Sequence, residues 1–415
     1  MSKWEEKMLG ELIISSKGKL TKQSEFLEDG FQTLINADAI NGRETIFSDT
    51  KGAVLCEEDD VLMLWDGERS GLVTFGFKGV VGSTFAKLKT LDALDSKYLF
   101  YFLNEKFLWI QNNRTGTGVP HVPKDLERIL LIKYPKDKTE QRQIATILST
   151  ADAVIEKTQA AIAKYKAIKQ GMLQDLFTRG IDITTGKLRP SYQDEPELYK
   201  ASKLGWIPKE WSEEIFGEQI ELVHGHQFRN YDFTEFGVAV VKIGQVKPEN
   251  VDLSNCSFVS ADRMEEFRNE TIRNGDVLMA LTGATLGKAC LVNGLSNPVL
   301  QNYRVGRFEP KIKENDIDKS FLYYTLTAGE LLNQIFNKVN SGAQGNIGKA
   351  DFEKALFKKP PFTEQKLIAE RLNSLNKKLQ TEQDFLHKQQ QIKAGLMNDL
   401  LSGKKKVKMK VNQMA

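Results

Sequence analysis

Apolar residues recur at steps of three and four along two long stretches of the chain, residues 139–180 and 363–404, and the two stretches resemble each other. Both begin with Thr-Glu-Gln, and neither contains proline or a glycine before Gly171 and Gly395 near its end. Each stretch therefore predicts one long amphipathic helix, whose apolar stripe is most simply covered by the other copy. We expect an antiparallel coiled coil, because it needs no long return path, although parallel pairing stays open.

The chain also repeats itself outside these helices. There the pattern changes to short apolar runs separated by Gly, Asn and Asp, which is typical of short β-strands. Residues 60–63 and 276–279 both read DVLM, and Trp4 and Trp211 precede similar Gly-Glu pairs. The repeated unit is therefore a β-rich globular segment followed by a long helix.

The sequence predicts an α+β protein, in which two β-rich globular domains are joined by two long helices that form an antiparallel coiled coil with a pseudo-twofold internal repeat. The predicted boundaries are a first globular domain at residues 1–138, a long helix at 139–180, a polar linker at 181–202, a second globular domain at 203–362, a second long helix at 363–403 and a basic tail at 404–415. Glu140, Gln141, Glu364 and Gln365 lie at the helix starts, where we expect them to cap free N–H groups rather than to contact a partner directly.

Charge and hydropathy narrow the function only slightly. The 58 basic and 55 acidic residues leave a net charge of +3, which is too balanced to indicate a polyanionic partner. No apolar run is long enough to cross a bilayer, and the first residues lack the pattern of a signal peptide. We therefore expect a soluble, cytoplasmic protein without a membrane partner.

Candidate catalytic motifs are incomplete. His224 and His226 form the only close histidine pair, with no third metal ligand at a recognised spacing. The GATLGK segment at residues 283–288 is one residue shorter than a P-loop and lacks its Ser or Thr. The KPPF segment at 359–362 has lysine where an amino-methyltransferase needs a hydrogen-bond acceptor. We expect no catalytic residue, cofactor site or metal site in this chain.

Several loops combine glycine with residue types that contact DNA bases and phosphates. Two of them, TGTG and SGAQG, fall at the same point of both repeats, although each could also be an ordinary solvated loop. The candidate DNA contacts in the first domain are Arg69, Lys78, Arg114, Thr115, Thr117, His121 and Lys124. Those in the second domain are Gln227, Arg229, Asn230, Thr282, Thr285, Lys288, Asn302, Arg304, Ser341, Gln344, Asn346 and Lys349.

The duplicated Thr-Glu-Gln helices, the DVLM strands and the tryptophan-led openings together resemble the specificity subunit of type I restriction-modification systems, over essentially the whole chain. The resemblance implies two target-recognition domains, each reading one half of a bipartite sequence in double-stranded DNA. It also implies that the helices set the spacing of the half-sites and dock two modification subunits.

The same resemblance implies a non-catalytic chain. S-adenosylmethionine would then belong to the modification subunits that methylate DNA, and ATP and magnesium to partner subunits that include the restriction subunits. An alternative is a scaffold protein whose coiled coil joins two ligand-binding β domains with no role on DNA. A self-sufficient nuclease or methyltransferase is disfavoured by the incomplete motifs.

Overall fold

The structure, a computed structural model, describes residues 3–116, 118–248, 250–311, 316–339 and 346–407, without the side chains of 337–339. The chain divides into two compact units. Unit 1 combines Met1–Ala161 with Glu382–Ala415, and unit 2 is Ile162–Thr381. No helix in the described ranges has the length and apolarity that crossing a bilayer requires.

Unit 1 contains a series of short strands. They are β1 (Trp4–Met8), β2 (Ile13–Lys17), β3 (Gln23–Ser24), β4 (Phe31–Ile35), β5 (Phe47–Asp49), β6 (Leu55–Cys56), β7 (Val61–Leu64), β8 (Val73–Thr74), β9 (Gly79–Val81), β10 (Phe85–Thr90) and β11 (Leu131–Pro135). The helices that begin in this unit are α1 (Ala37–Ile40), α2 (Ser96–Glu105), α3 (Phe107–Asn112), α4 (Leu126–Ile129) and the long α5 (Lys138–Thr178).

In unit 2 a β-hairpin comes after the end of α5, and the following elements repeat the plan of unit 1. Its strands are β12 (Tyr199–Ser202), β13 (Gly205–Pro208), β14 (Ser212–Ile215), β15 (Ile220–His224), β16 (Phe233–Thr234), β17 (Val238–Val241), β18 (Ser257–Val259), β19 (Thr271–Ile272), β20 (Val277–Ala280), β21 (Ala289–Leu291), β22 (Val299–Gln301), β23 (Val305–Pro310) and β24 (Leu356–Lys359). The helices that begin here are α6 (Phe216–Gln219), α7 (Lys319–Thr327), α8 (Glu330–Val339), α9 (Lys349–Glu353) and the long α10 (Phe362–Leu401).

The sheets repeat strand by strand. Unit 1 has a two-stranded sheet β1-β11, a four-stranded sheet β2-β10-β7-β8 and a five-stranded sheet β3-β5-β4-β9-β6. Unit 2 has the matching sheets β14-β24, β15-β23-β20-β21 and β16-β18-β17-β22-β19. The parallel pair also recurs, as β4 with β9 and as β17 with β22. The predicted internal repeat of two β-rich domains is therefore confirmed.

The DVLM segments form the buried centres of the four-stranded sheets. Val61, Leu62 and Met63 in β7 are fully buried, as are the matching residues of β20. A strand buried on both faces reads as a continuous apolar run rather than as an alternating one. This is why these segments stand out in the sequence.

The long helices α5 and α10 begin and end within one or two residues of the prediction. In unit 1 the first turns of α5 share a buried cluster with the last turns of α10, and Asp152 pairs with Lys393. In unit 2 the last turns of α5 cluster with the first turns of α10, with Phe177 and Ile368 among the buried residues. In each unit the start of one helix meets the end of the other, so the predicted antiparallel pairing is confirmed.

A buried glutamine fastens each long helix to its globular domain. In unit 1 the Gln141 side chain accepts a hydrogen bond from Asp95 N at 2.7 Å and donates to Ala93 O and Pro135 O at 3.0 and 2.8 Å. Asp95 itself caps α2. The prediction that Gln141 caps its own helix is therefore wrong, because its amide binds the backbone of three positions outside that helix.

Unit 2 repeats this attachment with the same geometry. The Gln365 side chain accepts from Asp318 N at 2.9 Å and donates to Asp316 O and Pro360 O at 3.0 and 2.9 Å. Asp318 caps α7, as Asp95 caps α2. The capping prediction is wrong for Gln365 for the same reason. The contacts of Gln141 and Gln365 explain why the glutamine of the Thr-Glu-Gln segment occurs in both repeats.

The preceding acidic residue is buried as well. The Glu364 carboxylate, 0% exposed, accepts from Ile181 N at 2.7 Å and from both terminal nitrogens of Arg189 at 2.5 and 2.9 Å. Glu364 therefore holds residues of another segment rather than capping α10. Glu140 is also buried, at 4% exposure.

The polar segment predicted as a linker is ordered in unit 2. Arg189 from this segment is buried against Glu364, and β12 pairs with β13. The hairpin is stabilised by Tyr192, which stacks on Trp206 with ring centroids 4.2 Å apart. The polar composition of the predicted linker does not indicate these contacts, because most of them are hydrogen bonds and ion pairs rather than apolar packing.

Each long helix ends at a left-handed glycine beside a tryptophan. Gly180 follows α5 with φ +65° and lies against Trp211, while Gly403 follows α10 with φ +73° and lies against Trp4. A Cβ at Gly180 would come within 2.4 Å of the Trp211 ring. Glycine therefore serves both the backbone turn and the close approach.

Candidate nucleic-acid interface

In unit 1, three polar side chains meet where strands of the four-stranded sheet end. Lys17 is the last residue of β2, and Asp66 follows β7. Lys17 Nζ lies 2.9 Å from Asp66 Oδ2, and His121 Nδ1 lies 2.7 Å from Asp66 Oδ1. Burial alone would raise the pKa of the Asp66 carboxyl, but the hydrogen bonds from Lys17 and His121 outweigh it and hold that pKa below its ordinary value.

The backbone fixes this cluster from both sides. Val122 N donates to Trp65 O at 2.9 Å, so the segment carrying His121 runs beside the end of β7. Thr115 and His121 also exchange two backbone hydrogen bonds, of 3.1 and 2.8 Å, which close the loop between them. The predicted loop residues Thr115 and His121 are therefore brought together beside Asp66.

Unit 2 has the same backbone arrangement with different side chains. Ile347 N donates to Leu281 O at 2.9 Å, which matches the bond between Val122 and Trp65. Thr282 and Asn346 then occupy the positions of Asp66 and His121, and the Thr282 hydroxyl donates to the Asn346 side-chain oxygen. Equivalent positions thus present a carboxylate and an imidazole in one unit, and a hydroxyl and an amide in the other.

Carboxylate, imidazole, hydroxyl and amide groups have different donor and acceptor patterns. Two such positions on one repeated frame can therefore read different base edges in the two units. We call these four residues, Asp66, His121, Thr282 and Asn346, the paired reading positions.

The other predicted contacts of unit 1 differ in their exposure and in their partners. Arg69, Thr115 and Lys124 are exposed, and Lys78 is exposed but paired with Glu57 at 2.8 Å. Arg114 is half-buried, and its guanidinium donates to Gln111 O and Glu68 O at 2.8 and 2.6 Å, so it shapes the loop. Thr117 lies outside the described residues.

In unit 2 most predicted contacts are exposed. These are Gln227, Arg229, Asn230, Lys288, Arg304, Asn346 and Lys349. Lys349 pairs with Glu221 at 3.3 Å, and Arg304 Nε donates to the Tyr303 hydroxyl at 2.7 Å. Thr282 and Thr285 are half-buried, and the Thr285 hydroxyl donates to Ile243 O at 3.2 Å.

The three remaining predicted residues of unit 2 are Ser341, Gln344 and Asn302. Ser341 and Gln344 lie outside the described residues. Asn302 is only 7% exposed, and its side-chain oxygen accepts from Arg304 N at 3.4 Å. Asn302 therefore supports the loop that carries Arg304, and we do not retain it as a candidate DNA contact.

Sequence reasoning missed Lys17 and Asp66. Asp66 follows the first DVLM run at the distance at which Thr282 follows the second, so aligning the two repeats at these strands would have found it. Lys17 carries no comparable signal, because its approach to Asp66 depends on the packing of β2 beside the rest of the sheet.

The rejected catalytic motifs have structural roles. His226 packs against the Phe228 and Phe267 rings at 4.9 Å, and the GATLGK segment leads into strand β21 rather than into a helix. Lys359 Nζ donates to both Asp316 oxygens at 2.7 Å. Within the described ranges, no group of three or more His, Cys, Asp or Glu side chains is arranged to hold a metal ion.

Comparisons with known proteins agree with one another. A family model described as the type I restriction modification DNA specificity domain matches residues 1–165 and 228–394. The MjaVIII type I restriction enzyme specificity subunit of Methanocaldococcus jannaschii is 30% identical over 98% of this chain and 93% of its own length. The EcoBI specificity subunit of Escherichia coli is 22% identical over 87% of this chain and 76% of its own length.

The fold is also that of a solved structure. The S subunit of a type I restriction-modification system from M. genitalium matches with a TM-score of 0.64 at 18% identity, over 98% of this chain and 97% of that chain. At this identity the likeness concerns the fold alone.

Proposed function

The chain belongs to the type I restriction modification DNA specificity family, and from this premise we propose that it is the sequence-specific DNA-binding subunit of a type I restriction-modification enzyme. Each β-rich unit reads one half of a bipartite target in double-stranded DNA. The long helices set the spacing of the half-sites and dock two modification subunits.

The observation that carries this proposal is the set of paired reading positions. The backbone around Asp66 and His121 matches that around Thr282 and Asn346, whereas the side chains differ. A repeated frame with altered polar groups is what reading two unlike half-sites requires, because donor and acceptor patterns distinguish base pairs in the major groove. A scaffold without a DNA role has no need of that difference.

Catalysis is assigned to the partners. We propose that S-adenosylmethionine is bound by the modification subunits, that ATP and magnesium are used by partner subunits, and that restriction subunits complete the assembly. This chain would then contribute DNA recognition and the docking of its partners.

The proposal is tested by exchanging the paired reading positions. A chain carrying Asp66→Thr and His121→Asn gives unit 1 the side chains of unit 2, and preferred sequences are then selected from random duplexes together with the modification subunits. We expect the preference to change in one half-site and to stay unchanged in the other. The loss on the original half-site should be roughly five- to 150-fold for each base contact removed, since a base contact contributes roughly 1–3 kcal/mol of discrimination.

Lys288→Ala serves as a matched control at an exposed cation. If this lysine contacts phosphate, its removal weakens binding to all sequences alike and lowers the salt dependence, so salt must be held constant in every comparison. An unchanged preference in both half-sites would contradict the assignment of the paired reading positions. A parent chain that binds no duplex, with or without modification subunits, would contradict the proposed function itself.

A further inference from the structure

The two units share a short motif that plays no part in the paired reading positions. Unit 1 reads Ser24-Glu-Phe26 and unit 2 reads Thr234-Glu-Phe236. Ser24 and Thr234 are the last residues of the edge strands β3 and β16, which are equivalent in the two five-stranded sheets. Each faces a phenylalanine on the neighbouring strand, Phe47 in one unit and Phe258 in the other.

In both copies the phenylalanine projects from the turn that follows the edge strand. Phe26 is 76% exposed and Phe236 is 79% exposed. The hydroxyl residue holds the turn in each case: Ser24 Oγ accepts from Phe26 N at 3.1 Å, and Thr234 Oγ1 donates to Phe236 O at 2.9 Å. The rest of the turn differs, because more residues separate Ser24 from β4 than separate Thr234 from β17.

A large apolar side chain left in water at the same place in two otherwise different loops is unlike a scattered exposed residue. Within the described residues, the equivalent loops share the order of hydroxyl, carboxylate and phenyl group. The fold itself does not need the ring, since the sheets pack without it. The shared feature therefore indicates that each unit contacts one copy of the same binding partner through this phenylalanine.

The charge next to the ring indicates what that contact is. Glu25 and Glu235 are exposed beside Phe26 and Phe236. In unit 1, Asp29 adds another exposed carboxylate, while Glu28 pairs with Lys22 at 3.6 Å. Phosphate groups would be repelled by these carboxylates, whereas apolar wedges that enter DNA come with neighbouring cations. A protein surface with an apolar recess and an adjacent Lys or Arg fits both the ring and the carboxylate.

We propose that Phe26 and Phe236 are equivalent docking points for a protein partner bound in two copies, each of which receives the phenyl ring in an apolar recess and pairs a basic side chain with the adjacent glutamate. This inference rests on the proposed function, in which the partner present in two copies is the modification subunit. Each unit then contacts its modification subunit through its own recognition domain as well as through the long helices.

The test measures binding of purified modification subunits to the full chain. Phe26→Ala, Phe236→Ala and the double variant are compared with the parent by titration and by native mass spectrometry. Each single substitution should leave one site at parental affinity and weaken the other about ten- to hundredfold, which is typical for loss of a buried aromatic anchor. The double variant should weaken both sites.

Leu20→Ala and Tyr231→Ala provide matched controls, because these side chains are 84% and 85% exposed but stand outside the shared motif. Both control variants should bind modification subunits like the parent. A double variant that binds both subunits within about twofold of the parent would overturn the inference.

DNA contact is the competing outcome. If the double variant loses affinity for duplex DNA in the absence of modification subunits, while its subunit binding is retained, the rings are DNA wedges and the inference is wrong. If the parent chain itself binds neither duplex nor modification subunit, the proposed function fails, and this inference fails with it. The parent titration thus separates the two failures.

Discussion

Replacing Gln141 by alanine tests how the long helix is attached to the first recognition domain. The side chain is 0% exposed and makes three hydrogen bonds, to Asp95 N, Ala93 O and Pro135 O. Truncation removes all three bonds and leaves their backbone partners without this amide. Ala93 and Asp95 are distant from Gln141 in sequence, so neighbouring helical residues do not replace it.

The size of the effect follows from these contacts. A hydrogen bond in a folded protein contributes about 1 kcal/mol net, and an unsatisfied buried partner costs about 1–3 kcal/mol. We expect Gln141→Ala to lower the free energy of unfolding by roughly 2–4 kcal/mol, a large share of the roughly 5–15 kcal/mol of an ordinary domain. Gln365→Ala should cost a similar amount, because its three bonds are equivalent.

Equilibrium urea denaturation provides the measurement, and hydrogen exchange identifies the region affected. Exchange should increase around residues 93–105 and 131–141 in the Gln141 variant. Gln159→Ala is the control, since Gln159 is an exposed glutamine in the middle of the same helix. If the Gln141 and Gln159 variants differ by less than about 0.5 kcal/mol, the size of ordinary surface effects, the reasoning is refuted.

Three further predictions concern ionisable groups. Arg189→Met should lower the free energy of unfolding by about 3–5 kcal/mol in urea denaturation, because Glu364 is left buried without its cation. Adding Glu364→Leu should restore part of this free energy, and a double variant with no recovery would contradict the prediction. The pKa of Asp66 is lowered, so its carboxylate stabilises the fold above pH about 4 and loses that effect as pH falls through the folded pKa. Asp66→Asn should therefore reduce the fall in unfolding free energy at acid pH, and an unchanged acid dependence would contradict this prediction. Burial raises the pKa of Cys56 to about 11 and of Cys290 to about 12. Mass spectrometry of the folded protein should therefore find both thiols unalkylated after treatment with iodoacetamide at pH about 8, and labelling without unfolding would refute this prediction.

The parts of the fold that the sequence predicted well depend on local periodicity. The helices α5 and α10 have apolar residues at helical spacing over many turns, so their positions were found within one or two residues. The DVLM strands were found because they are buried on both faces. Repetition strengthened both predictions, since the same pattern occurred twice.

Long-range pairing explains what the sequence did not reveal. Asp66 meets His121 only because distant segments of unit 1 come together at the end of the sheet. The segment at residues 181–202 looked like a linker, yet its Arg189 is buried by an ion pair with Glu364. Asn302 is a residue type that often contacts DNA, but it is only 7% exposed. Composition identifies groups capable of a contact, whereas tertiary packing decides which of them reach solvent.

The equivalent glutamine attachments have a consequence for how such chains can be altered. Gln141 and Gln365 hold backbone positions rather than particular side chains, so the segment that each one fastens can differ in sequence without loss of the attachment. A recognition domain could therefore be exchanged as a cassette between the two halves of the gene. A chain with two copies of one recognition domain would be expected to recognise the same short DNA sequence in both half-sites.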